Sequence, residues 1–197
     1  KQFEPGMRYL IDNYIVADDA EKVAMFDDFT LLDFILAQAD KLNNDGNSKE
    51  QESAAEAIEN NIRKKVVQKI VINPAYYNKM SEVLEQLILD RNRGVVAYKE
   101  LLARYIELAK NISTPEENER YPESIRKSSA MRAFYDNYGE DEELALRLHK
   151  AVMTSKMDGF RNNPTKENRI KRALYQIVKD DDAVERLFKI VVEQEEY

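Results

Sequence analysis

The chain has 197 residues, no cysteine and a formal charge of −7 at neutral pH. That length suits one domain or two small lobes, and a chain of this size buries roughly 70% of the surface it exposes when unfolded, so it needs no disulfide or metal staple. Zero cysteine excludes a disulfide framework and thiolate-bound zinc, and the acidic balance argues against broad, non-specific binding of polyanions.

Five glycines and five prolines punctuate the chain, among many strong helix formers. Long helices joined by short polar loops are therefore predicted. No apolar run approaches the ~18 residues that span a bilayer, so no membrane contact is expected. Lys1-Gln2-Phe3-Glu4-Pro5 lacks an apolar signal core and an initiator methionine, which reads as a piece of a longer chain. The lack of cysteine fits a reducing cytosol, and a cytoplasmic location is expected.

The first helix is predicted over Phe3 to Val16, where Met7, Leu10, Ile11, Tyr14 and Ile15 fall on one face. Thr30 to Ala39 repeats the pattern through Leu31, Leu32, Ile35 and Leu36, and the polar run from Asn43 to Ser48 is a loop. Glu50 to Ile72 is the longest periodic stretch, with Ala55, Ile58, Ile62, Val66 and Ile70 inward. Its β-branched end is also compatible with a strand, but it continues a helical phase and is read as helix. Asn73-Pro74 restarts the chain, with Asn as N-cap and Pro at the first helical position. Tyr76, Tyr77, Met80, Val83, Leu84, Leu87 and Ile88 follow on one side, and Arg91 to Gly94 breaks or bends the helix. Val95 to Ile112 is again amphipathic, through Tyr98, Leu101, Leu102, Tyr105, Ile106 and Ala109.

Thr114-Pro115-Glu116-Glu117 reads as a capped start that stalls at Tyr121-Pro122. Shorter helices follow over Ser128 to Tyr138, ended by Gly139, and over Asp141 to Lys156, with Leu144, Leu148 and Val152 inward. Asn163-Pro164 caps a helix carrying Ile170, Leu174, Ile177 and Val178, and Asp180 to Asp182 starts the last, with Val184, Leu187, Phe188 and Val191. The predicted fold is all-α, an irregular array of eight or nine helices in two lobes, 1–112 and 124–197, with 113–123 as linker or hinge. No fixed-period repeat points to a solenoid.

Chemistry is sparse. The glycines lie singly, so no loop presents the clustered backbone N–H groups that cradle phosphates. The lone histidine, His149, sits within a predicted helix without a nucleophile elbow and reads as a half-exposed helix residue. Asp180 to Asp182 reads as an N-cap cluster, since consecutive helical residues do not face one point. Tyr76-Tyr77 and Tyr135 to Tyr138 fall at helical spacing beside Met80 and Met131, which suits core packing. No catalytic, cofactor-binding or metal-ligating residue is expected, and no cofactor in this chain.

Between Thr154 and Lys179 stand seven basic residues, Lys156, Arg161, Lys166, Arg169, Lys171, Arg172 and Lys179, against Asp158 and Glu167. Lys166, Arg169 and Arg172 form one stripe, and with Arg161 they are the candidate contacts to phosphate or to an acidic protein surface. An ordinary solvated face is the other reading of the same residues.

Leu10-Ile11-Asp12-Asn13-Tyr14-Ile15, Phe26-Asp27-Asp28-Phe29-Thr30-Leu31-Leu32 and Ala55-Glu56-Ala57-Ile58-Glu59-Asn60-Asn61-Ile62-Arg63 resemble strings in the C-terminal region of the R (restriction and motor) subunit of type I restriction enzymes. Next comes Asn73-Pro74-Ala75-Tyr76-Tyr77-Asn78-Lys79-Met80-Ser81-Glu82, close to the family's Asn-Pro-x-Tyr-Tyr-x-Lys-Met-Ser pattern. Tyr135-Asp136-Asn137, Glu142-Glu143-Leu144-Ala145-Leu146 and the closing Glu195-Glu196-Tyr197 complete the set. Phe160 stands where many relatives have tryptophan, and the Asn43 to Ser48 loop departs from the pattern.

The resemblance implies a parent that cleaves and translocates DNA using ATP and Mg2+, with nuclease and helicase motifs upstream and none in this segment. It implies docking of the motor subunit to the methylation and specificity subunits, beside the upstream helicase domain of its own chain. The alternative is an accessory module that contacts duplex DNA through the Lys166 stripe.

Overall fold

The computed structural model describes residues 31–43 and 48–197. The helix expected over Phe3 to Val16, the first string of the resemblance, most of the second and the tip of the Asn43 to Ser48 loop lie outside these residues. The described residues form nine α-helices and a short 3-10 turn, with no strand among them. The expected all-α array is what the described residues adopt.

Helices α1 (Leu31–Leu42), α2 (Ser48–Lys69), α3 (Pro74–Asn92) and α4 (Tyr98–Ser113) each pack on their predecessor, and α4 closes back onto α1. A 3-10 turn (Pro115–Glu117) and the one-turn α5 (Glu123–Arg126) lead to a second circuit. There α6 (Ser129–Asn137), α7 (Glu142–Ser155), α8 (Pro164–Val178) and α9 (Asp181–Glu193) again pack in succession, and α9 closes onto α6. The two circuits meet where α6 lies on α3.

Each circuit encloses its own apolar cluster. The first runs from Leu31 to Ile125 and is built on Ile35, Ile58, Ile62, Leu84, Leu101 and Tyr105. The second runs from Ala130 to Tyr197 around Phe134, Leu148, Ile170, Leu174, Leu187 and Val191. Each such side chain contributes about 1.5–3 kcal/mol by leaving water. Tyr121 and Ile125, which follow the 3-10 turn, pack into the first cluster.

Caps set most of the boundaries. Asn73, Ser128, Asp141, Asn163 and Asp180 each accept, through the side chain, a backbone N–H three residues on, which satisfies a helix-start donor. The Arg91 to Gly94 segment breaks the helix: α3 stops at Asn92, and Gly94 takes φ +65°, where a Cβ is strained.

The periodicity misplaces several details. The long helix ends at Lys69, not Ile72, and Ile70 to Ile72 form a hydrogen-bonded turn. Asn73 precedes a proline and is driven out of helical geometry, which forces the earlier stop. The helix expected from Val95 begins at Tyr98. Thr114 makes no capping bond; its hydroxyl donates back to Lys110 O, so Pro115–Glu117 remains a single turn. Leu36 and Val83, expected inward, are 51% and 44% exposed, because the buried stripes run through Leu31 and Ile35 and through Leu84 and Leu87.

Candidate functional site

A buried polar cluster ties the two circuits. The Asp136 carboxylate on α6 is 2% exposed. It accepts from Asn73 Nδ2 at 2.6 Å, from the Tyr121 hydroxyl at 2.6 Å and from the Arg120 guanidinium. Asn137 accepts from Ala75 N at 3.3 Å and donates to Asn73 Oδ1 at 2.9 Å. The Arg120 guanidinium lies 5.0 Å from the Tyr121 ring centre and 5.6 Å from that of Tyr76. Burial, with the Asp136 carboxylate beside it, pushes the Tyr121 phenol well above its ordinary value, so it remains a donor. Further along, Gln194 Nε2 donates to Ile72 O at 2.8 Å. Asn73 thus caps α3 and also bonds α6; sequence reading found the first role and missed the second.

The basic stretch divides into two groups. Arg161 grips the turn after α9, donating from Nε to Val192 O at 2.8 Å, from Nη2 to Gln194 O at 2.6 Å and from Nη1 to Tyr197 O at 3.0 Å. Lys166 Nζ donates to Asp158 O at 2.6 Å, Lys156 Nζ reaches Glu196 O at 3.2 Å, and Lys171 pairs with Glu185 at 2.8 Å. Arg169 and Arg172 are exposed and form no ion pair among the described residues; Arg169 Nη1 lies 3.6 Å from Met157 Sδ. Lys166, Arg169 and Arg172 do line one shallow groove, with Met157 and Thr165. The stripe is real as geometry, but Arg161 and Lys166 hold backbone carbonyls of the fold.

His149 is half-buried on α7, with Nδ1 2.8 Å from the Tyr197 hydroxyl. Burial lowers its basicity, nearby Glu196 opposes that and Lys156 adds to it. A folded imidazole that resists protonation stabilises the chain fully above its ordinary pKa of 6.5, and that stability is lost as the pH falls below it. Wild-type chain is therefore expected to lose more stability between pH 8 and pH 5 than His149→Gln. Denaturant titrations at the two pH values check this, with the carboxylates common to both proteins cancelling. Equal losses would show that His149 is not protonated differently on unfolding.

Asp180 caps α9, its carboxylate accepting Ala183 N at 2.8 Å, as expected for that acidic run. Among the described residues no group of three or more His, Cys, Asp or Glu side chains converges as metal ligands, and no helix is long and apolar enough to cross a membrane.

A groove of about 670 Å³ opens beside the polar junction, between the end of α2, the head of α3 and one side of α9. Its walls are largely apolar, through Ile70, Val71, Pro74, Tyr138 and Val192, with Arg186, Lys189 and Glu193 along the α9 side.

The described residues thus define an all-α chain of two four-helix circuits with a polar junction. No family model, no curated protein and no solved structure matches the chain.

Proposed function

We propose that the chain is the C-terminal helical module of a type I restriction enzyme R subunit, without catalysis of its own, and that it docks the motor subunit onto the methylation and specificity subunits. One observation carries the reading. Two strings of the resemblance, Asn73-Pro74-Ala75-Tyr76-Tyr77 and Tyr135-Asp136-Asn137, are bonded through residues 62 to 64 positions apart. They meet in one hydrogen-bonded junction, through Asn73 with Asp136 and Asn137 and through Ala75 with Asn137. A pattern that spans both strings suits such a junction, since Asn73 Nδ2 and Ala75 N find their acceptors across it, on Asp136 and Asn137. In this reading ATP and Mg2+ belong to the upstream domains, the complex is cytoplasmic, and lobes 1–112 and 124–197 flank a connection at 113–123.

A second reading, contact with duplex DNA, is favoured by the exposed, unpaired Arg169 and Arg172. One experiment separates the two. The parent subunit, whole and lacking 124–197, is co-purified with the methylation and specificity subunits, and the isolated chain is titrated with duplex DNA across a salt series. Docking predicts stoichiometric assembly lost on truncation, with no steep salt-dependent retention of DNA. Assembly retained by the truncated subunit overturns the docking reading. Salt-sensitive binding that ignores DNA sequence and disappears in Arg169→Glu/Arg172→Glu establishes the other, because phosphate contacts carry no base information.

A further inference from the structure

The groove beside α9 brings two features together. The first is an apolar floor that the described residues leave in water. Val71 is 50% exposed and Val67, one helical turn before it, is 62% exposed. Val71 enters the groove with Ile70, Pro74 and Val192. Val66, next to Val67 on α2, is 2% exposed, so Val67 and the turn at Val71 present a second apolar strip on a different side from the buried one.

The second feature is charge. The chain is acidic overall, at −7, yet the α9 wall of the groove carries Arg186 and Lys189, one helical turn apart and both exposed. Among the described residues neither joins an ion pair, and the wall's acid, Glu193, stands one turn beyond Lys189 at its far end. Arg186 lies near the Tyr138 hydroxyl and offsets part of the rise that burial gives that phenol. Two unpaired cations lining an apolar trough define an occupant with an apolar face and carboxylates along one flank. From Arg186 to Glu193 the wall runs about 10 Å at 1.5 Å per residue, which is two turns of a helix lying alongside.

We propose that this groove is a docking site for an amphipathic helix of a partner protein, its apolar face on Val71 and Val192 and its acidic flank on Arg186 and Lys189. Apolar anchors at i, i+3, i+4 and i+7 fill such a trough, while the charges select orientation and partner. The proposal rests on the docking reading only in that the occupant is a protein; it does not depend on which assembly supplies the helix.

The test uses the full chain and two labelled synthetic peptides of about 14 residues, with the same leucine stripe and either glutamate or lysine on the flanks. Fluorescence anisotropy is expected to show the glutamate peptide binding at least about tenfold tighter, which is some 1.4 kcal/mol. The preference should reverse in Arg186→Glu/Lys189→Glu, and both peptides should be lost with Val71→Asp. Val71 is half exposed, so circular dichroism of that variant should match wild type. Equal affinity for the two peptides, or binding that survives Val71→Asp, overturns the proposal. So does self-association blocked by Val71→Asp without peptide binding, since the occupant would then be a second copy. The same variants separate this claim from the assembly claim. If the methylation and specificity subunits still bind the Val71→Asp chain, the groove is not their site and docking stands; if wild type binds the peptide but not those subunits, docking falls and the groove stands.

Discussion

Glu59→Ala is expected to be the most damaging single substitution in the first circuit, at about 3–5 kcal/mol of stability. The Glu59 side chain on α2 is 5% exposed and that of Arg91 on α3 is 8% exposed. Arg91 donates Nε to Oε1 at 2.7 Å and Nη2 to Oε2 at 2.9 Å, and the Tyr105 hydroxyl on α4 donates to Oε1 at 2.5 Å. One carboxylate thus joins three helices of the circuit. Its removal leaves a guanidinium and a phenol buried without their acceptor, and that orphaning, more than the lost attraction, sets the cost. Urea unfolding of the variant measures it. The triple change Glu59→Leu, Arg91→Met, Tyr105→Phe removes all the polar groups together and is expected to recover most of the loss. A triple variant as unstable as Glu59→Ala would show that packing, not the uncompensated charge, dominates.

The helix starts were legible because capping is local: Asn73, Asn163 and Asp180 each act on a backbone N–H three residues on. The inner stripes were legible for the same reason, and Ala55, Ile58, Ile62 and Val66 are all buried as their spacing requires. Errors came where two faces compete. Leu36 and Val83 lie beside the buried stripe, and only the position of the neighbouring helix decides which edge is covered. The turn at Ile70 to Ile72 kept a helical phase that the following Asn-Pro overrode. Long-range polar roles were hidden, since nothing near Arg161 or Lys166 shows that they hold carbonyls 31 residues (Val192) and 8 residues (Asp158) away. Glu59 did carry a signal: it is a charge flanked by Ile58 and Ile62 on the inward face, where a carboxylate persists only with a buried partner.

Asp136→Ala is expected to uncouple the two circuits as well as destabilise them, by about 3 kcal/mol. Three donors converge on this carboxylate from two directions. Asn73 comes from the head of α3, while Arg120 and Tyr121 come from the chain between the circuits. Each cluster has its own apolar core, so loss of the shared acceptor falls on the junction rather than on either interior. Unfolding followed in denaturant should therefore change shape. Wild type should lose both circuits together, whereas the variant should show two transitions or a lowered m value. Hydrogen exchange should rise first at 113–123 and at the start of α3, which also tests the proposed connection between lobes. Asp136→Asn retains an acceptor for Asn73 or Tyr121 but not the charge facing Arg120, and should fall between the two. A variant with one sharp transition at the wild-type midpoint would sink the idea, because the α3–α6 contact would then hold through apolar packing alone.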